Sequence, residues 1–167
     1  RRHLPASCKV IGIDNSEAMV ERCRTNVARD RSQAAIEIRH ESMLDTAFSN
    51  ASVVVMNFTL QFIADADREP LLRRIAEGLL PGGILILSEK VEFADPEMQS
   101  TMTTIHHDFK RYQGYSDLEI SQKRAALENV LIPNTEDLHI RRLQDAGFSK
   151  VFPYMRCLNF ESILAIR

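Results

Sequence analysis

The chain has 167 residues, a net charge of −2, 44% apolar residues and 26% charged residues, which fits one globular domain with its own core. The small net charge gives no global attraction to nucleic acid or acidic membranes, so a small-molecule ligand is favoured. Cys8, Cys23 and Cys157 are odd in number and lack CxxC spacing, which argues against a disulfide framework and a structural zinc site. No apolar run approaches the length of a membrane span, and we expect a cytoplasmic protein.

The first predicted strand is the apolar, β-branched run at residues 10–13, which has the composition of a strand covered on both faces. Asp14 ends it, and Asn15 or Ser16 caps the helix that follows. In open α/β sheets, ligands bind at the carboxyl ends of the strands, and an acidic residue ending an early strand often holds ribose hydroxyls. Asp14 is therefore either a ribose ligand or an acidic turn residue without a ligand.

The middle of the chain alternates strands and helices. Residues 35–39 predict a short strand, and the polar turn after it reaches the same sheet edge as Asp14. Residues 51–58 predict a fully buried strand, in which Asn57 is either a turn former or a ligand contact. Residues 67–80 predict an amphipathic helix, and residues 84–89 another buried strand, with Glu89 as a candidate supporting residue. This alternation predicts a doubly wound α/β fold.

A charged helical segment occupies residues 95–134, too long for a simple connection, and we interpret it as a lid or a subunit interface. Its HHD run at 106–108 has metal-ligand chemistry, but adjacent helical residues point about 100° apart, so no metal site is predicted. Lys110, Arg111, Lys123 and Arg124 form either a basic groove for anions or tRNA, or a solvated helix face, which we favour for all but Arg124.

The end of the chain completes a recognisable pattern. Thr135 caps a helix that ends at Ala146 and Gly147, and residues 150–154 and 159–166 predict two closing strands. A helix, LPGG, an apolar strand, an insertion, LxxAGF and two strands together resemble the second half of the Rossmann-like class I S-adenosylmethionine-dependent methyltransferase fold. The resemblance implies a mostly parallel sheet with an antiparallel C-terminal strand, and it places Asp14 at the ribose-binding end of that fold's second strand.

Six sequence blocks narrow the resemblance. In order along the chain they are GIDNS at 12–16, NFTLQF at 57–62, LSEK at 87–90, HHDFKR at 106–111, GYS at 114–116 and EISQKR at 119–124. Together they resemble the carboxy-S-adenosyl-L-methionine synthases over essentially the whole length. The resemblance implies an enzyme that converts S-adenosylmethionine and prephenate to carboxy-S-adenosylmethionine and phenylpyruvate. That product supplies the modification of wobble uridine in tRNA.

The resemblance also implies roles for individual residues. Asp14 and Asn15 match the acid and amide that contact the cofactor's adenosine, and Asn57 matches the amide after the fourth strand of the family fold. Arg124 matches the arginine that binds the carboxylate of the carboxylated sulfonium, for which a planar guanidinium fork is suited. Tyr115 is either a substrate contact in the lid or a packing anchor.

Two departures from the family are visible. The family has an aspartate that contacts adenine where this chain has Ser42 with Met43 beside it; a hydroxyl forms the weaker hydrogen bond, by roughly 1 kcal/mol. The family's first strand, glycine-rich turn and tyrosine-bearing arm have no counterpart here. We therefore expect a single incomplete domain, residues 1–167, that begins inside the fold.

Three functions remain open from the sequence. The first is the carboxy-S-adenosylmethionine synthase, as a homodimer without metal and without stable nucleic-acid or membrane binding. The second is a methyltransferase acting on a small molecule or tRNA. The third is a non-catalytic dimerising module, because the charged insertion suits a dimer interface and homodimers are the commonest assembly.

Overall fold

The computed structural model describes residues 3–128 and 130–167. Their contacts divide the chain into two compact units, one ending at Ala47 and the other running from Phe48 to Arg167. Each unit carries its own sheet, with two strands in the first and five in the second. No helix in these ranges is long and apolar enough to cross a membrane.

The first unit is a strand–helix–strand motif. Strand β1 (Lys9–Asp14) leads into helix α1 (Glu17–Arg29) and then strand β2 (Ala35–His40). The two strands pair in parallel over their full lengths. Ser16 begins the helix, because its side-chain oxygen accepts a hydrogen bond from the Met19 N–H at 3.4 Å. The predicted order of elements and the predicted cap are confirmed.

The second unit begins with a parallel strand–helix–strand motif. Strand β3 (Ala51–Asn57) precedes helix α2 (Asp65–Gly78) and strand β4 (Leu79–Glu92), which pairs with β3. The predicted helix at residues 67–80 is shifted, since Leu79 and Leu80 already belong to the strand. The α2 face and β4 supply much of the core, with Leu71, Leu72, Ile75, Leu85 and Leu87 almost fully buried.

The insertion is helical, as predicted. Helices α3 (Pro96–Tyr112) and α4 (Asp117–Leu127) are followed by the two-residue strand β5 (Asn134–Thr135), which pairs with β4. Helix α5 (Glu136–Asp145) is capped by Thr135 and ends before Gly147, whose φ of +101° suits glycine. The predicted cap and end of this helix are confirmed.

Two antiparallel strands close the larger sheet. They are β6 (Lys150–Cys157) and β7 (Phe160–Ile166), and the strand order is β3-β4-β7-β6. Because β7 is antiparallel to both of its neighbours, the sheet is mixed. Parallel pairing in the first half of the chain and antiparallel pairing at its end agree with the class I methyltransferase pattern.

The burial predicted for strands β1 and β3 is wrong. Ile11 of β1 is 45% exposed, and Val53 and Val55 of β3 are 50% and 55% exposed. Within the described ranges β1 pairs only with β2, and β3 only with β4. Val53 and Val55 share one face of β3, whereas Met56, on the opposite face, is buried. Coverage of each face, and not apolar composition alone, therefore determines how far these side chains are exposed.

Candidate functional site

In the first unit, the two strand ends are tied together at one edge. The Asp14 carbonyl accepts the Glu41 N–H at 3.1 Å, and His40 Nε2 lies 3.1 Å from the Asn15 carbonyl oxygen. The Asp14 carboxylate accepts the Ser16 N–H at 2.8 Å through Oδ1, and the residue remains exposed. An exposed carboxylate with its second oxygen available can accept hydrogen bonds from paired hydroxyls, as ribose binding requires.

Ser42 and Met43 lie just beyond the end of β2, in a compact turn. The Ser42 side chain accepts the Leu44 N–H at 3.2 Å, while its carbonyl accepts the Thr46 hydroxyl at 2.9 Å. Ser42 and Met43 are both half-buried. The structure thus brings Asp14, Asn15, Ser42 and Met43 to the carboxyl end of one parallel strand pair, as the sequence predicts.

In the second unit, Asn57 lies at the carboxyl end of β3, opposite Ser88 of β4. The next residue, Phe58, has a φ of +52°, and its N–H donates to the Ser88 carbonyl at 2.6 Å. This left-handed residue turns the chain sharply after the strand. The Asn57 side chain is exposed at the strand end, where the topology of α/β sheets places ligands.

Glu89 fixes the loop that follows Asn57. Its buried carboxylate accepts the backbone N–H groups of Thr59, Leu60 and Gln61 at 3.0, 2.8 and 3.1 Å. Burial raises the pKa of Glu89 to about 7, against the opposing effect of the three N–H donors. The sequence placed Glu89 at the ligand edge, but these contacts join residues about thirty positions apart and have no local signal.

Lys90, a lysine that sequence reasoning missed, lies near the end of β4, within electrostatic range of Arg124. Arg124 is an exposed residue of α4, and Lys90, of β4, is half-buried. Burial, and then the charges of Lys110 and Arg124, lower the pKa of Lys90, because nearby positive charges disfavour protonation. Lys90 lies opposite Phe160 of β7 in the antiparallel strand pair, two residues after Ser88. The only sequence signal for Lys90 was its position just after a buried strand.

A pocket of about 210 Å³ opens between α3 and α4. It combines cationic, aromatic and aliphatic side chains, and Tyr115 is part of its wall. The lining residues are His106, Phe109, Lys110, Tyr115, Glu119, Ile120 and Lys123.

The neighbouring histidines of α3 do not converge. The rings of His106 and His107 lie 6.3 Å apart, centroid to centroid, as expected for adjacent helical residues. Across residues 3–128 and 130–167, no three His, Cys, Asp or Glu side chains are grouped as a metal ion requires.

Comparison with known proteins identifies the fold and the family. The family model described as "Methyltransferase domain" matches residues 1–83. Human N-acetylserotonin methyltransferase, solved in complex with SAM, has a TM-score of 0.61 to this chain. The two are 16% identical over 95% of this chain and 40% of that one, a likeness that shows the class I methyltransferase fold.

Two curated relatives are much more similar in sequence. The carboxy-S-adenosyl-L-methionine synthase of Hahella chejuensis is 59% identical over 95% of this chain and 64% of its own length. That of Aliivibrio salmonicida is 50% identical over 100% of this chain and 69% of its own length. The chain thus spans about two thirds of the length of these relatives. It belongs to the carboxy-S-adenosyl-L-methionine synthase family.

Proposed function

We propose that the full-length protein converts S-adenosyl-L-methionine and prephenate to carboxy-S-adenosyl-L-methionine and phenylpyruvate, and so supplies tRNA wobble-uridine modification. The observation that carries the proposal is the 59% identity to a relative of that name over 95% of the chain. The family model matches residues of both units, which supports one cofactor-binding domain.

The proposed roles follow from the side chains at the strand ends. In the first unit, Asp14 accepts hydrogen bonds from the ribose hydroxyls, with Asn15 beside it. In the second unit, Asn57 is proposed as a cofactor contact, as the family resemblance implies. Ser42 and Met43 contact the adenine. The chemistry that S-adenosylmethionine supplies is its sulfonium methyl group, which receives the carboxyl group.

Arg124 is proposed to bind the transferred carboxylate. Its guanidinium stays charged at any physiological pH and offers two parallel N–H donors, which match the two oxygens of a carboxylate. Among residues 3–128 and 130–167, no carboxylate forms an ion pair with Arg124, so its donors are available. Lys90 nearby adds positive charge, and its ammonium group does not compete with the carboxylate for the N–H donors of Arg124.

We also propose that the protein acts as a homodimer in the cytoplasm. Helix α3 has no buried residue, and apolar side chains such as Met98, Ile105 and Tyr112 are exposed along it, which supports a self-association face. The cysteines are free, which supports a reducing compartment. The ligands are small molecules, with no stable nucleic-acid binding.

The proposal is tested with the full-length protein, S-adenosylmethionine and prephenate, using mass spectrometry of the nucleotide product. We expect the carboxylated sulfonium from the unaltered protein and at least a roughly 30-fold lower rate from Arg124→Ala, since a charge-assisted bidentate contact is lost. Arg141→Ala is the matched control, because Arg141 is an exposed arginine of α5, and it should retain the rate.

The alternatives give different results. A protein that forms no prephenate-dependent product is not a carboxy-S-adenosylmethionine synthase. Methyl transfer to an acceptor that survives Arg124→Ala would identify a methyltransferase instead. Failure of the full-length protein to bind S-adenosylmethionine in calorimetry would favour the non-catalytic module.

A further inference from the structure

The cations of the α3–α4 pocket differ from those on the outer helix surface. Arg111 forms ion pairs with Asp108 at 2.6 Å and Asp117 at 2.7 Å, as a solvated helix face does. Lys110 and Lys123 line the pocket, and neither has a carboxylate partner within 4.0 Å in the described part of the chain. The basic residues that the sequence assigned to one solvated face therefore fall into two groups.

The one acid in the pocket wall is already engaged. Glu119 Oε2 accepts the N–H of Ser116 at 2.8 Å and its hydroxyl at 2.7 Å. This capping box opens α4 and holds the carboxylate against the helix end. Lys110 and Lys123 together carry one more positive charge than Glu119 balances, so the pocket attracts an anion.

Burial is the main cause of the pKa shifts in the pocket, and the neighbouring cations are the second. Burial, and then the charge of Lys123, lower the pKa of Lys110. Burial, followed by the charges of Lys110 and Lys90, lowers the pKa of His106 to about 4. At neutral pH, His106 is therefore an uncharged imidazole with one donor and one acceptor nitrogen.

A series of edge-to-face aromatic contacts connects the pocket to the strand end that carries Asn57. The rings of His106 and Phe160 pack edge to face, with 5.1 Å between their centroids and 88° between their planes. The rings of Phe160 and Phe58 do the same, at 5.7 Å and 90°. Phe58 directly follows Asn57. The pocket thus adjoins the ligand edge of the larger sheet, within one unit.

We propose that the α3–α4 pocket binds the part of the substrate that departs as a 2-oxo acid. Lys110 and Lys123 bind its carboxylate, and Phe109 and Tyr115 contact its ring. The inference rests on the proposed function, whose second substrate carries two carboxylates. Arg124 receives the carboxyl group that is transferred, and the lysines hold the one that remains. At about 210 Å³ the pocket is smaller than the roughly 300–1,000 Å³ of sites for drug-sized ligands, which suits one end of a small acid.

The test separates ligand binding from turnover in the full-length protein. Phenylpyruvate binding is measured by calorimetry with S-adenosylmethionine present, and the KM for prephenate is measured by product formation. We expect Lys110→Gln and Lys123→Gln each to weaken phenylpyruvate binding and raise the KM at least roughly tenfold, because each removes a charge-assisted hydrogen bond. The affinity for S-adenosylmethionine, which does not use these lysines, should be unchanged.

The matched control is Arg111→Gln, which removes a neighbouring cation of α3 that lies outside the pocket wall. It should change the affinity for phenylpyruvate and the KM for prephenate by less than about twofold, as expected of an exposed ion-paired residue. Equal effects of Arg111→Gln and Lys110→Gln would refute the pocket, as would lysine variants that bind phenylpyruvate normally. If the unaltered protein binds phenylpyruvate through these lysines but forms no carboxylated product, the pocket stands and the proposed function fails.

Discussion

Glu89 shows how a single buried carboxylate organises the loop at the carboxyl end of β3. It ends a core segment of β4 and accepts three successive N–H groups of the loop that begins after Asn57. Without such an acceptor, the buried N–H groups of that loop would remain unpaired, at a cost of about 1–3 kcal/mol each. Glu89 therefore fixes the loop that begins directly after Asn57.

Glu89→Gln should destabilise the protein although it preserves shape. Two of the N–H groups share Oε1, whereas the Gln61 N–H donates to Oε2. An amide retains one oxygen but places an NH₂ group against the remaining donor, so we expect the free energy of unfolding to fall by about 2 kcal/mol. Urea unfolding followed by circular dichroism measures it. Glu92→Gln, at an exposed position of the same strand, is the control, and equal losses in both variants would contradict the role of Glu89.

At the scale of elements, α4 depends on its first turn. Ser116 and Glu119 exchange hydrogen bonds between side chains and backbone in both directions, and of α4 only Ile120 is buried. A short helix with so little burial draws much of its stability from its cap. The positions of Lys123 and Arg124 therefore rest on this turn.

Ser116→Ala should loosen α4 and leave the sheet intact. Loss of an N-cap hydroxyl costs about 1 kcal/mol, so amide hydrogen exchange within residues 119–124 should become roughly fivefold faster. Exchange in β4 should not change. Ser121→Ala is the control, because its hydroxyl donates a hydrogen bond to the Leu118 carbonyl inside the same helix. Similar exchange rates in the two variants would show that the cap is not what holds α4.

The elements were predictable where local pattern decides them, whereas burial was predicted correctly for β4 but not for β1 and β3. The capped helix after Thr135 ends at its glycine because a cap residue and a left-handed glycine are local signals. The exposure of Val53 and Val55 depends on what packs over their face of β3, which no local pattern encodes. The contacts of Glu89 and Lys90 were missed for the same reason, since their partners are distant in sequence.

At the scale of the whole molecule, a buried arginine network joins α2, β5 and α5. Arg68 is 1% exposed and, with Arg142, donates to the side-chain oxygen of Asn134. Arg142 also forms an ion pair with Asp65 at 2.7 Å. His139 is equally buried beside these charges, and in the described ranges neither of its ring nitrogens has a hydrogen-bond partner.

His139 should make the protein sensitive to mild acid. Burial, and then the charges of Arg142 and Arg68, lower its pKa from 6.5 to about 4. Below pH 6.5, His139 is protonated in the unfolded chain but stays neutral in the folded protein, so the free energy of unfolding falls between about pH 6.5 and 4. Its contribution to the loss at pH 5, relative to pH 7.5, is on the order of 2 kcal/mol.

The measurement compares urea unfolding of His139→Leu and the unaltered protein at pH 7.5 and 5. On going from pH 7.5 to 5, the free energy of unfolding of the variant should fall less than that of the unaltered protein, by on the order of 2 kcal/mol. Because burial raises the pKa of Glu89, that residue opposes the trend equally in both proteins, and the difference isolates His139. His40→Leu, at an exposed histidine, is the control. Parallel pH dependence of His139→Leu and the unaltered protein would disprove the assignment.

The central place of β7 in the larger sheet determines when that sheet can form. β7 lies between β4 and β6, pairing residues near position 84 with residues near position 166, and its Ser162 hydroxyl bonds to Ser88 at 2.8 Å. Such long-range pairing slows folding, because a large loop must close before the contacts form. During synthesis, one edge of β4 stays open until residues 160–166 have left the ribosome, and an open apolar edge can pair with other chains. Aggregation of newly made protein is therefore a hazard that this topology builds in.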